Sequence, residues 1–565
     1  MPFATGIGRR AGTVRAVRAR MLVADAVGRA LAAEGVAAAF GVLGSGNLGF
    51  TNALRDAGVP FVGARHEGGA ICMADGYARV SGELAACSVH QGPGLTNAIT
   101  GLTEAAKSRT PLLLLAADTP AAALRSNFRI DQDALVESVG GVAERVHGGA
   151  TAVADAVRAA RRARIERRAV VLMLPLDVQT QAVPDAIAAE AAAPPLAAPR
   201  PAESAVAAVA ELLAAAERPA IVAGRGAVLA GAGPALRALG ERSGAVLATT
   251  AVANGLFRGD QFDLGIAGGF SSPLAARLLR ESDAMVAFGA ALNQWTTRHG
   301  TLIGPDARVV QVDLDAAALG AHRPVDVGVI GDAAATATSL LAAIEPRAGG
   351  RRGPALAAEI AAHGWRDEPY EESTADGCVD PRTLTIALDE LLPEERIVVV
   401  DSGHFMGWPA MLLRVPDAAG FVFPQAFQCV GLGLGNAIGA ALARPDRLTV
   451  AALGDGGALM ALPELETLGR LALPMLVVVY DDDAYGAEVH HFRPLGHAVD
   501  LAQFPPADFA ALAEAAGCRG LTVRSVADLD GVRDWLATRD GPLVVDAKVD
   551  PDLCADWLEE AFRGH

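Results

Sequence analysis

The run Leu448-Thr449-Val450-Ala451-Ala452-Leu453 ends on Gly454-Asp455-Gly456-Gly457, and the run Met475–Tyr480 ends on Asp481-Asp482-Asp483-Ala484-Tyr485-Gly486. Both runs are short and apolar, and an Ala/Leu-rich helical stretch separates them. That is the pattern of strand, crossover helix and strand in a parallel sheet covered on both faces. Ligands of such sheets sit at the carboxyl ends of the strands. Asp482 stands 27 residues after Asp455, which brings two carboxylates to neighbouring strand ends. Gly456 and Gly457 let backbone N–H groups approach phosphate oxygens, and the helix that follows offers its N-terminus. A few protein oxygens completed by phosphate oxygens are the usual surroundings of magnesium. Taken alone, the residues leave a second reading open: GDGG is a common turn, and three aspartates after a strand fit a solvated loop.

The same alternation fills the chain. Strands are expected at Ala85–His90, Pro111–Ala116 and Ala169–Leu174, at Ala220–Ala223, Ala284–Phe288 and Val309–Asp313, and at Arg396–Asp401, Leu448–Leu453, Met475–Tyr480 and Leu543–Ala547. Two stretches rich in Ala, Pro and Gly, residues 182–202 and 345–354, read as linkers. They leave blocks at 21–185, 203–345 and 375–565, behind a basic extension at 1–20 that lacks the apolar centre of a secretory signal. The expected fold is α/β, with three doubly wound parallel sheets. Phe421–Ala443 is long and nearly uncharged, but Pro424, Gln425, Gln428 and Asn436 punctuate it as a buried loop plus helix rather than a membrane span.

Composition excludes several classes. The chain has 565 residues, 52% hydrophobic and 20% charged, too apolar for a disordered or fibrous protein. Its net charge of −17 argues against a nucleic-acid-binding surface, which needs a basic face. Six cysteines without CxxC spacing argue against a disulfide framework or structural zinc, and fit a reducing cytoplasm.

Further motifs fall at the same strand-to-helix junctions. Arg65-His66-Glu67-Gly68-Gly69-Ala70 opens a helix, and by itself Glu67 is also a plain acidic residue at the positive helix end. Val89-His90-Gln91-Gly92-Pro93-Gly94-Leu95-Thr96-Asn97 joins a strand to a helix, and Phe128–Leu135 reads FRIDQDAL. Asp401-Ser402-Gly403-His404 follows another strand, and Gln428-Cys429-Val430-Gly431-Leu432-Gly433 precedes a helix. In this order and spacing the motifs resemble the thiamin-diphosphate enzymes of the acetolactate synthase, pyruvate decarboxylase and benzaldehyde lyase superfamily, over the whole chain after residue 20.

The resemblance implies pyrimidine-binding, central and diphosphate-binding domains. It implies Mg²⁺ held by Asp455, Asp482 and the main-chain carbonyl of Ala484. The diphosphate would lie against Gly403, His404, Gly454, Gly456, Gly457, Tyr485 and Gly486. Glu67 would contact N1′ of the aminopyrimidine and promote loss of the thiazolium C2 proton. Gln428 would offer its carbonyl to the pyrimidine, and Val430 would buttress the thiazolium. It further implies active sites between two subunits, in a homodimer or homotetramer. For the central block, with Gly224-Arg225-Gly226 and Gly289–Asn293, it leaves FAD open without favouring it.

Within the superfamily the details diverge. Family members usually carry Asn-Asn where this chain has Asp481-Asp482. Gly141 stands where acetolactate synthases have a lysine. Ser45 takes the acidic position of pyruvate decarboxylases, whose His-His pair is missing from the first block. Glu488, 33 residues after Asp455, matches a protonating glutamate of pyruvate decarboxylases, and His490 falls where benzaldehyde lyase has a histidine. Ser45, Gln91, Glu488 and His490 are therefore the candidates for substrate and proton handling, although Glu488 and His490 also suit a plain helix surface. The expected activity is decarboxylation or carboligation of 2-oxo acids. The alternatives are an acyloin lyase acting on aldehyde-derived 2-hydroxy ketones and a non-catalytic scaffold of the same fold.

Overall fold

The computed structural model describes residues 20–184, 197–347, 351–373 and 375–563. Of the basic extension only Arg20 is included; the rest of it, residues 185–196 of the first linker and 348–350 of the second lie outside the described residues.

The first sheet contains β1 (Val36–Gly41), β2 (Phe61–Gly63), β3 (Leu84–Val89), β4 (Leu112–Asp118), β5 (Val142–Arg145) and β6 (Ala169–Pro175). The second contains β7 (Pro219–Ala223), β8 (Val246–Thr249), β9 (Asp263–Ile266), β10 (Ala284–Phe288), β11 (Arg308–Asp313) and β12 (Val327–Ile330). The third contains β13 (Arg396–Val400), β14 (Phe421–Val422), β15 (Leu448–Gly454), β16 (Leu476–Asp481), β17 (Arg519–Val523) and β18 (Leu543–Lys548). Every strand pair is parallel.

The orders are β2-β1-β3-β4-β6-β5, β12-β11-β10-β7-β8-β9 and β14-β13-β15-β16-β18-β17, so the first and third sheets repeat one connectivity. All ten expected strands are present. The eight others gave weak signals. β1 reads Val-Ala-Ala-Ala-Phe-Gly and passes for helix, β2 and β14 are three and two residues long, and β17 is a half-exposed edge.

The central strands are apolar on both faces because helices cover both. Ala85, Cys87 and Val89 of β3 enter one core, while Leu84 and Ala86 enter another. The first of these cores is shared: it continues through Ile397 and Val399 of β13 and Ala451 and Leu453 of β15. Between the two sheets lie the helices Glu67–Ser81 and Gly433–Ala443, packed backbone to backbone. A methyl group on Gly76 would stand 2.1 Å from the Asn436 carbonyl oxygen, and one on Gly439 would stand 2.0 Å from that of Met73. Only glycine permits this approach. Phe421–Ala443 is thus a two-residue strand, a loop and this buried helix; no described helix is long and apolar enough to cross a membrane.

Helix propensity alone favours Gly→Ala by about 1 kcal/mol. At Gly439 the backbone clash outweighs it, since overpacking costs about 1–3 kcal/mol. Gly439→Ala is therefore expected to lower the urea midpoint of unfolding. Gly49→Ala, where the added methyl meets Ala24 Cβ at 3.8 Å, is expected to leave it unchanged or raise it. Equal responses of the two variants would contradict the packing account.

Candidate active site

β13, β15 and β16 are adjacent in the third sheet, so the loops after them converge. Gly454 pairs with Tyr480, which puts Asp455 beside the aspartates that end β16. Asp455 is buried, and burial, then the charge of Asp481, pushes its carboxyl up to about 7. Burial, then Asp455, holds the Asp482 carboxyl well above the usual carboxylate range. The Ala484 amide faces both carboxylates, donating to Asp482 at 3.3 Å and to Asp455.

The departure from Asn-Asn has a structural answer. Asp481 lies directly opposite Lys548 on β18 and forms a buried ion pair with it. Lys548 also reaches Asp546 at 3.1 Å and the Ala507 carbonyl at 2.7 Å. One of the chain's two lysines thus neutralises the first aspartate. Among the described residues Asp482 has no such partner. The nearest basic group is His404, 3.9 Å away, which burial, then His490, pushes down to about 3, so it stays neutral.

The loops are tightly fitted. Asp401 accepts from the Gly431 amide at 2.9 Å and the Leu432 amide at 3.1 Å, which ties the loop after β13 to the segment carrying Gln428 and Val430. Gln428 takes a left-handed φ of 57° and Gly403 a φ of 146°. A methyl group on Gly457 would lie 2.4 Å from Asp401 Oδ2, and one on Gly486 would lie 2.3 Å from Asp482 Oδ2.

Gly403, His404, Gln428, Val430, Gly454, Asp455, Gly456 and Gly457 all line one cavity of about 2300 Å³. So do Asp482, Ala484, Tyr485, Gly486 and Glu488. His490 is not among the lining residues: it stacks on His404 with ring centroids 4.4 Å apart, and its Nε2 is buried without a hydrogen-bond partner among the described residues. At its far end the cavity runs along the carboxyl edge of the central sheet, past Arg225, Gly289 and Asp313.

The candidates of the first block lie elsewhere. Glu67 opens its helix half-exposed and accepts from Asn97 Nδ2 at 3.0 Å. Ser45 Oγ is 3.4 Å from His90 Nε2, while His90 Nδ1 meets the Gln91 carbonyl at 3.0 Å. Phe128 packs edge-on against the His90 ring. Gln91 is buried, and its Oε1 has no hydrogen-bond partner among the described residues. Gln132 of the FRIDQDAL segment accepts from the Gly92 amide at 3.0 Å and donates to the Ala117 carbonyl, which fixes the loop after β3. None of Ser45, Glu67, His90 or Gln91 lines the cavity of Asp455 and Asp482. Within the single chain the two groups of candidate residues therefore do not share this cavity.

His90 lies within the Val89–Asn97 motif, and its contact with Ser45 is visible only in three dimensions. The Asp481–Lys548 pairing had one available signal, a lone lysine ending an apolar strand.

Family models for the thiamine pyrophosphate enzymes match all three blocks: the N-terminal TPP-binding domain at 21–139, the central domain at 206–340 and the C-terminal TPP-binding domain at 401–547. The chain belongs to this family. It is 30% identical to a sulfoacetaldehyde acetyltransferase of Rhodobacter capsulatus over 96% of this chain and 97% of that protein. It is 28% identical to a probable acetolactate synthase large subunit of Methanocaldococcus jannaschii, covering 94% and 92%. The fold is shared with the thiamine diphosphate-dependent 4-hydroxybenzoylformate decarboxylase of Rhodococcus jostii RHA1, at TM-score 0.81 and 22% identity over 94% and 99% of the two chains.

The residues present fit the family's cofactor. Among the described residues no three His, Cys, Asp or Glu side chains converge as a ready metal site. Among the described residues Asp455, buried, and Asp482, 13% exposed, have no counter-cation, which suits a metal completed by diphosphate oxygens. The glycines at 456, 457 and 486 leave backbone rather than side chains at the cavity wall.

Removing Lys548 leaves Asp481 buried and uncompensated, an effect of about 3–5 kcal/mol. Lys548→Met is expected to lose that much stability in denaturant unfolding, and Asp481→Asn added to it is expected to recover part of the loss, Asp546 remaining without its cation. Failure of the second substitution to recover stability would contradict the pairing.

Proposed function

We propose that the protein is a thiamin-diphosphate- and Mg²⁺-dependent enzyme that breaks or makes C–C bonds next to the carbonyl of a 2-oxo acid. The observation that carries the proposal is that Asp455 and Asp482 line a cavity from which Glu67, Ser45 and Gln91 of the same chain are absent. A homodimer, or a homotetramer built from dimers, would bring Glu67 of one copy to Asp455 of another. Exposed apolar side chains flank both halves: Leu43, Leu48, Phe128 and Ile130 near Ser45 and His90, and Phe427, Leu459, Met460 and Tyr485 near Asp455. Apolar clusters of this kind favour a covered surface.

In this reading Asp455, Asp482 and the carbonyl of Ala484 hold the metal, and the Gly454–Gly457 turn receives the diphosphate. When bound, thiamin diphosphate supplies a nucleophilic carbon that adds to a carbonyl and stores the electron pair of the broken bond. Glu67 holds a proton at N1′ of the pyrimidine. Gln428, fixed in its left-handed turn, and Val430 orient the cofactor. Ser45, His90 and Gln91 face the substrate from one chain, and Glu488 faces it from the other. With Nδ1–H donated to the Gln91 carbonyl, His90 presents Nε2 as a proton acceptor toward Ser45. His490 acts through its stacking on His404 rather than as a partner of Glu488.

The relatives' names span an acetyl transfer, a synthase and a decarboxylation, so the proposal stops at the class of bond. Six free thiols fit a reducing cytoplasm.

Metal-stripped protein is expected to bind thiamin diphosphate tightly in calorimetric titration only when Mg²⁺ is present; no binding with any divalent ion would overturn the proposal in favour of a scaffold. Glu67→Gln is expected to lose about 10²–10⁴ in turnover while its circular dichroism and cofactor binding persist. Release of CO₂ from 2-oxo acids separates this activity from an acyloin lyase, which releases none.

A further inference from the structure

The segment just before Glu67 is held from another domain. Glu464 lies on the helix Pro463–Leu471, nine residues after Asp455, and is 2% exposed. Its Oε1 accepts from the His66 amide at 2.9 Å and the Arg65 amide at 3.2 Å, and its Oε2 accepts from Thr467 Oγ1 at 2.7 Å. The approach is so close that a methyl group on Gly69 would stand 2.3 Å from Glu464 Oε1. The second glycine of Arg65-His66-Glu67-Gly68-Gly69 is thus a slot for this carboxylate. His66 in turn caps the helix, its Nδ1 accepting from the Gly68 amide at 3.0 Å. Two further contacts from the same helix clasp the segment: Glu466 with Arg65, and Arg470 with the Gly63 carbonyl. The Arg65–Glu466 pair is solvent-exposed and contributes little. The Glu464 carboxylate itself is buried, its two amide bonds part-buried, and bonds to a carboxylate are of the strong, charge-assisted kind.

We propose that Glu464 is a positioning residue for Glu67. It receives the two amides immediately ahead of Glu67, sets where the helix Glu67–Ser81 begins, and so aims the Glu67 carboxyl. The inference rests on the function proposed above. Small displacements of a catalytic group are costly, on the order of 10²-fold for about 1 Å. Glu464→Asp keeps the charge but withdraws the carboxylate by one methylene, and Glu464→Ala removes it. Glu464→Gln keeps one oxygen for both amides.

The test follows deuterium exchange at C2 of bound thiamin diphosphate, together with amide hydrogen exchange of residues 61–70 in the cofactor-free protein. Glu464→Ala and Glu464→Asp are expected to slow C2 exchange by roughly 10–10² fold and to speed amide exchange at Arg65 and His66. Glu464→Gln is expected to stay near wild type in both. Glu466→Gln serves as the exposed control and is expected to change neither. Mg²⁺-dependent cofactor affinity should hold in all of them. If Glu464→Ala fails to fold, Glu464→Asp decides. Wild-type C2 exchange in Glu464→Asp would overturn the inference. Wild-type protein that shows no C2 exchange, or Glu67→Gln that leaves it unchanged, would instead sink the proposed function.

Discussion

The contact between the helices Glu67–Ser81 and Gly433–Ala443 decides how the rest of the molecule is arranged. It places the first and third sheets on either side of one core and fixes their separation at backbone contact, through Gly76 and Gly439. The two sheets share a connectivity, so each carries its carboxyl-edge loops to a comparable place. In the proposed function each edge supplies half of a site, one around Glu67 and Gln91 and the other around Asp455 and Asp482.

The electrostatics of the second half follow the same economy. Three aspartates in a row would be costly at a buried strand end. Asp481 is settled by Lys548 across the sheet, which leaves Asp455 and Asp482 facing the cavity with a neutral His404 beside them. In the proposed function this is the place that receives a cation. Glu464 shows that the halves are nonetheless linked within each chain, since the helix following the Asp455 loop braces the segment leading to Glu67.

Much of this was legible in the sequence where the signal is local. A strand running into Gly454-Asp455-Gly456-Gly457 announces its own loop, and the 27-residue step to Asp482 encodes one crossover. Contacts between distant segments were not legible. Glu464 is about 400 residues from His66, Lys548 is 67 from Asp481, and neither pairing leaves a periodic trace. β1 escaped notice because its alanines favour helix and only its neighbours β2 and β3 make it a strand.

The central claim is that the working site forms only between two copies of the chain. A mixed dimer of Glu67→Gln and Asp455→Ala chains, purified through two different tags, tests it directly by C2 exchange of bound thiamin diphosphate. One of its two sites would then combine an intact Glu67 with an intact Asp455, so about half the wild-type exchange is predicted, with each variant alone inactive. A mixed dimer as inactive as its parents would contradict the account and place the complete site within one chain.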